Sequence, residues 1–269
     1  MENNNNGSVA VTKMDTLKNI LNADSVQAQF KNALADNTGP FVASLIDLYT
    51  GDTYLQQCDP KMVVMQALKA AVLKLPINKS LGFAFIVPFS NVPQFQLGYK
   101  GYIQLALRTG QYRIINADEV YEGEYRTRNK LTGEFDLSGQ QKSDIIVGYF
   151  AYIELNTGFS KTLYMTREKV MAHAQKYSKS FNQANGPWKK EFDAMAKKTV
   201  LRNLLSHYGF LSVEMTAAFE NDNDVADQVQ DEIKQNGNSK PMDFQDADVV
   251  NKEQVNTMDF ANQTSGPGF

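Results

Sequence analysis

Apolar residues recur at helical spacing through the first third of the chain: Leu17, Ile20 and Leu21, then Val26, Phe30 and Leu34, after a start near Thr16. Asn37 to Pro40 break that pattern. A second apolar segment covers Phe41 to Tyr49. A third opens at the Asp59-Pro60 start signal and runs through Met62, Met65, Leu68, Val72 and Leu75 until Pro76 stops it. Stripes of Met and Leu at this spacing read as core or subunit interface, so they are assigned no chemistry.

From Leu81 the period shortens to that of extended chain. Gly82 to Val87 and Gln94 to Leu97 predict two short strands, and Leu97-Gly98-Tyr99-Lys100-Gly101 leads into a helix over Tyr102 to Arg108 that Gly110 ends. Tyr112 to Asn116, Tyr121 to Arg128 and Ile145 to Leu155 are extended, and Asn156-Thr157-Gly158 turns the last of these into Ser160 to Met165. The pattern predicts an α+β fold: N-terminal helices, then a central antiparallel β-sheet with packed helices.

Thr166 is placed to cap a helix from Arg167, and Ser178 to Gly186 reads as a loop. Pro187 sits where a first helical turn tolerates proline. Trp188, Phe192, Met195 and Thr199 then fall within about 60° of one another at about 100° per residue, a stripe expected to face the core. Lys190 with Lys197, and Lys198 with Arg202, lie away from that stripe and are expected to face a ligand. Leu201, Leu204 and Leu205 share this outer half, which predicts a helix covered on two sides.

Charge changes the picture. Between Lys161 and Arg202 ten Lys and Arg stand against three Asp and Glu, with Tyr177, Phe181 and Trp188 among them, although the whole chain has a formal charge of −3. Cations neutralise phosphates and aromatic faces stack on unpaired bases, so single-stranded nucleic acid meets both needs; a solvated basic face is the plain alternative. From Glu220 to Phe269 eleven Asp and Glu oppose three Lys. The chain therefore divides into a disordered N-terminus over 1–15, one domain over 16–219 and an acidic, largely disordered tail over 220–269, read as a tether or docking tail and equally as an inert solubilising one. Met242 with Phe244, and Val249, Val250 and Val255, are the tail's apolar islands.

One cysteine, Cys58, excludes an intramolecular disulfide, and His173 and His207 form no cluster with zinc-ligand spacing. The polar, Asn-rich start and the absence of a long apolar run fit a reducing, cytoplasmic setting without membrane insertion. No Walker-type phosphate cradle is present, which disfavours an ATP-driven motor. Gly98-Tyr99-Lys100-Gly101 reads first as a simple strand-to-helix turn; it also matches, weakly, a Gly-x-x-Gly backbone clamp, with Lys100 to supply charge and Tyr99 or Tyr102 to stack. Asp118, Glu119, Asp144 and Glu154 are the carboxylates a magnesium nuclease would use, set against the reading of a solvated hairpin rim. No nucleophile, metal or cofactor is assigned.

Three segments carry a further signal: Phe95 to Gly110, reading FQLGYKGYIQLALRTG; Tyr164-Met-Thr-Arg-Glu-Lys169 with His173 and Tyr177-Ser-Lys179; and Pro187-Trp188 through Met195-Ala-Lys-Lys-Thr-Val-Leu-Arg202. Together they resemble the RecT family of phage and prophage single-strand annealing recombinases, over roughly Leu17 to Leu211. The resemblance implies an ATP-independent protein of a bacterial host that binds single-stranded DNA, assembles into rings or helical filaments and pairs complementary strands, with no bond made or broken. It implies phosphate-contacting roles for Lys100, Arg108, Arg113, Arg126, Arg128, Lys176, Lys179, Lys189, Lys197, Lys198 and Arg202, beside Tyr99 for stacking. The partners implied are single-stranded DNA, the annealed duplex, further copies of the chain, a 5′-to-3′ exonuclease and the host single-strand-binding protein. A passive single-strand binder and a magnesium nuclease are the competing functions.

Overall fold

The computed structural model describes residues 12–178, 180–184 and 186–222. Helix α1 (Lys13–Asn22) starts where Thr12 and Asp15 cap each other: Thr12 Oγ1 accepts from Asp15 N at 3.1 Å, and Asp15 Oδ2 accepts from Thr12 N at 3.1 Å. α2 (Asp24–Leu34) and α3 (Thr38–Gly51) follow, separated by a short 3₁₀ turn at Ala35–Asn37. The expected break is therefore tighter than Asn37 to Pro40. Pro40 falls in the first turn of α3, where an N–H has no intrahelical acceptor to lose. α4 (Pro60–Val72) begins as the Asp59-Pro60 pair predicts, with Asp59 Oδ1 accepting from Lys61 N at 2.9 Å. It ends before Pro76, at a left-handed Lys74 with φ 52°. Leu17, Leu21, Phe30, Leu45 and Ala67 are fully buried among these helices, as is Cys58.

β1 (Ala84–Phe89) and β2 (Val92–Leu97) form a hairpin whose turn residues, Ser90 and Asn91, have φ of 48° and 64°, the sense that two-residue turns require. The hairpin lies on α4, with Phe95 N donating to Gln66 Oε1 at 3.1 Å. α5 (Tyr99–Arg108) starts directly after it. Gly98 N donates to Phe83 O at 2.9 Å, and a Cβ on Gly101 would lie 2.2 Å from the same carbonyl oxygen. The Gly-x-x-Gly match is thus a strand-to-helix turn whose glycines let α5 press against the backbone of β1's approach.

The main sheet has β6 (Ile146–Leu155) in the middle, flanked antiparallel by β3 (Tyr112–Tyr121) and β7 (Ser160–Thr166). β3 is one strand rather than two short runs, because its pairing with β6 continues to Tyr121, where a bulge and then Gly123 at φ 95° turn the chain away. The expected Tyr121–Arg128 strand shrinks to a flap of two-residue strands, β4 (Thr127–Arg128) and β5 (Phe135–Asp136). Along β6 the side chains alternate: Tyr149, Ala151 and Ile153 are buried, while Phe150, Tyr152 and Glu154 are part-exposed on the opposite face.

α6 (Arg167–Tyr177) is capped by Thr166 as expected. The helix from Pro187 is interrupted: α7 (Pro187–Lys190) ends at Glu191, with φ −136° and ψ 55°, and α8 (Phe192–Tyr208) resumes against the main sheet. The stripe survives the break, since Trp188 and Thr199 are buried while Phe192 and Met195 pack on the core. Trp188 meets Phe181 and Phe192 edge-on and donates from Nε1 to Ser178 Oγ at 3.0 Å. Leu201, Leu204 and Leu205 are fully buried, so α8 is covered on two sides.

A last helix, α9 (Val213–Asn221), was not evident in the pattern; Ser212 caps it, and its Phe219 stacks on Tyr102 of α5. The boundary placed at 219 falls inside it. The tail beyond Asp222 and the residues before Thr12 lie outside the described residues.

Two substitutions test the packing. Trp188→Ala should cost about 3–5 kcal/mol by urea denaturation, as deletion of a buried aromatic does. Gly101→Ala should cost roughly 1–3 kcal/mol, because its methyl meets a backbone carbonyl that cannot retreat cheaply.

Candidate nucleic-acid interface

The cations of the basic segment separate into exposed and interior sets around α8. At the start of α5, Lys100 is exposed and Tyr99 half-buried. Lys197 of α8 stands 5.9 Å from the Tyr99 ring, but its Nζ is 2.8 Å from Glu119 Oε1 and 3.9 Å from Asp118 Oδ1. Burial works against the Lys197 charge, yet the Glu119 hydrogen bond and the two carboxylates outweigh it and raise the pKa. Lys197 is thus an internal tie between α8 and β3.

On the α6 side, Lys176 is exposed and its Nζ donates to Tyr177 Oη at 2.8 Å, with the Tyr177 ring beside His173. Lys189 and Lys190 are exposed in α7. Lys179 lies outside the described residues. A cavity of about 30 Å³ between α6 and α8 is lined by His173, Tyr177, Trp188, Lys198, Arg202 and Asn203. Burial, then the charges of Arg202 and Lys176, push the His173 imidazole down to about 4.

Lys198 and Arg202, expected to face DNA, are buried, 6% and 5% exposed. Lys198 Nζ lies 3.0 Å and 3.3 Å from the two carboxylate oxygens of Asp222, itself fully buried, and Tyr102 Oη donates to Asp222 Oδ2 at 2.7 Å. Arg202 sits 5.5 Å from the Phe219 ring centroid. The outer half of the α8 wheel is covered by α5 and α9 rather than open, because α9 supplies an aromatic and a carboxylate for those cations. Burial and the Asp222 charge hold the Tyr102 phenol protonated far above its ordinary pKa.

The remaining expected residues are dispersed. Arg108 donates from Nη1 to Leu73 O at 2.8 Å and from Nη2 to Lys74 O at 3.0 Å, closing the C-terminal end of α4. Arg113 Nε pairs with Glu154 Oε1 at 3.0 Å. Arg126 and Arg128 are exposed on the flap, Arg128 lying 5.1 Å over the Phe135 ring. Tyr125 stacks on Tyr164 beside Phe135, an aromatic group that charge counting passes over; strand alternation on β7 places Tyr164 on the outer face with Phe150.

Arg167, likewise missed, donates to Tyr149 Oη at 3.1 Å and lies 4.4 Å over Phe192. The carboxylates weighed for a nuclease are apart in function: Asp118 and Glu119 face Lys197, and Glu154 faces Arg113. Among the described residues, no three His, Cys, Asp or Glu side chains come together to hold a metal ion, and no helix is long and apolar enough to cross a membrane.

These features define an α+β protein in which Lys198 and Arg202 of one helix are buried while Lys100, Lys176, Lys189 and Lys190 stay exposed on others. The sequence model of the RecT family matches residues 40–237, and the chain belongs to that family, one of recombination and strand-annealing proteins. It is 46% identical over 215 residues to the uncharacterized protein YqaK of Bacillus subtilis (strain 168), covering 80% of this chain and 74% of that protein. It is 30% identical over 183 residues to protein RecT of Escherichia coli (strain K12), covering 62% of this chain and 65% of that protein.

Two measurements separate the interior cations from the exposed ones. Lys198→Ala leaves the Asp222 carboxylate buried without its cation and should cost about 3–5 kcal/mol, whereas Lys189→Ala should leave the melting temperature within a degree or two. His173 is near 4 in the folded protein against 6.5 ordinarily, so between those values the unfolded chain binds more protons. Stability should fall as pH drops through that window, and the fall should be smaller in His173→Gln when the two melting curves are compared.

Proposed function

We propose that the protein anneals complementary single strands of DNA without ATP, acting as an oligomer during homologous recombination. The observation that carries this reading is the exposed set of cations, Lys100 next to Tyr99, Lys176 next to Tyr177, and Lys189 and Lys190 in α7, in a chain of the RecT family. Such pairs suit an unpaired strand: the ammonium groups take phosphates and the rings accept bases of any sequence. Arg113, Arg126 and Arg128 are the outlying phosphate contacts, and Lys179 joins the α6 group by its sequence position.

In this mechanism neighbouring protomers align their basic surfaces and hold one strand by its backbone, leaving base edges open to a second. Base pairing supplies both specificity and driving force, so no fuel is consumed. Repetition of weak sites along one strand gives avidity that no single protomer has. A 5′-to-3′ exonuclease provides the strand, and the acidic tail recruits that enzyme or the host single-strand-binding protein.

Mixing two labelled complementary oligonucleotides with the protein tests the reading. Duplex should form faster than in buffer; slower formation means a passive binder, and cleavage in the presence of Mg²⁺ means a nuclease. If each protomer holds about three to five phosphates, log affinity should fall with log salt at about −2 to −3.5 per protomer. Combined Lys100→Ala and Lys189→Ala substitutions should weaken binding at low salt and flatten the slope by about 1.4, the share of two contacts.

A further inference from the structure

Lys198, Tyr102 and Arg202 gather around Asp222, the cap residue after α9. Its carboxylate has an ammonium at 3.0 Å and 3.3 Å and a phenol at 2.7 Å, with the Arg202 guanidinium near the same phenol. This is a donor set for an oxyanion. Burying an ion pair of this kind gains little over an apolar packing of the same volume, so its presence inside a packed helix interface calls for a role beyond stability.

Two features make the carboxylate exchangeable. Asp222 stands past the last turn of α9, held by the backbone bond from its N to Ala218 O at 3.1 Å, and α9 packs chiefly on α5 and β2 rather than on the main sheet. Lys198 and Arg202 also line the small cavity between α6 and α8, on the side of α8 that faces His173 and Tyr177. The chain after Asp222 continues with Asp224, Asp227, Asp231 and Glu232, a run of carboxylates that presents negative charge at intervals, as a nucleic-acid backbone does.

We propose that Lys198 and Arg202 form a binding site for a backbone phosphate of single-stranded DNA, and that Asp222, leading the acidic segment, occupies this site until DNA displaces it. The inference rests on the annealing function proposed above and adds an internal competitor to it. The unliganded protein then binds with an affinity reduced by the fraction of molecules whose site is closed.

The test uses the full-length chain and an unlabelled oligo(dT) probe. Asp222→Asn keeps the shape and removes the competing charge; it should bind about tenfold more tightly at low salt, the gain from an open site. Because the variant leaves Lys198 without its carboxylate and risks instability, hydrogen exchange on the unaltered protein provides the second reading. Amides of Met215–Asn221 should lose protection when oligo(dT) is added.

Unchanged or weaker binding by a folded Asp222→Asn protein overturns the proposal, as does capture of oligo(dT) by the unaltered protein with α9 protection intact. In both of those cases the annealing function stands. If neither protein captures oligo(dT) at any salt, the annealing function itself falls and takes this inference with it.

Discussion

Removing an ammonium from water is costly unless a carboxylate meets it, and α8 carries two such groups in succession, Lys197 and Lys198, into the body of the protein. Glu119 meets the first and Asp222 the second, so the helix is tied to β3 on one side and to the end of α9 on the other. Its apolar residues press on the main sheet at the same time. The position of α5, and with it Lys100 and Tyr99, follows from this enclosure, because Tyr102 reaches the same carboxylate as Lys198. The exposed cations are thus presented by elements whose orientation interior charges maintain.

How much of this could be seen in the residue order depends on the range of each interaction. Signals that act within a few residues were legible: the Asp59-Pro60 start, the Thr166 cap and the Trp188 stripe all took the predicted form. The fate of Lys198 and Arg202 was not, since an amphipathic wheel reports which residues share a face without saying what covers it. Their covering lies in α9, and the decisive carboxylate is 24 residues beyond Lys198. A charged helix flanked by Leu201, Leu204 and Leu205 did hold a hint, because three fully buried leucines on the supposed ligand face require cover, and α5 packs on α8.

The break at Glu191 shows a different limit. Periodicity ran unbroken from Pro187 because the stripe residues keep their inward direction on both sides of the interruption, so the hydrophobic pattern cannot register it. The interruption turns Lys189 and Lys190 out at the end of a one-turn helix instead of along the flank of a long one. Similarly, the resemblance assigns phosphate contacts to Arg108 and Arg113 without showing what else they touch. Both are engaged at short range, one on carbonyls ending α4 and the other on Glu154, and composition contains no information about such local partners.

Cys58 is completely enclosed, its sulfur directed at the Tyr54 carbonyl, and burial raises the pKa of its thiol. Little thiolate exists there at neutral pH, and reagents have no approach to it. The native chain is in effect silent toward maleimide dyes. A single cysteine introduced on the surface would carry a fluorophore selectively, so distances between protomers, or between protein and strand, become measurable without altering the natural core.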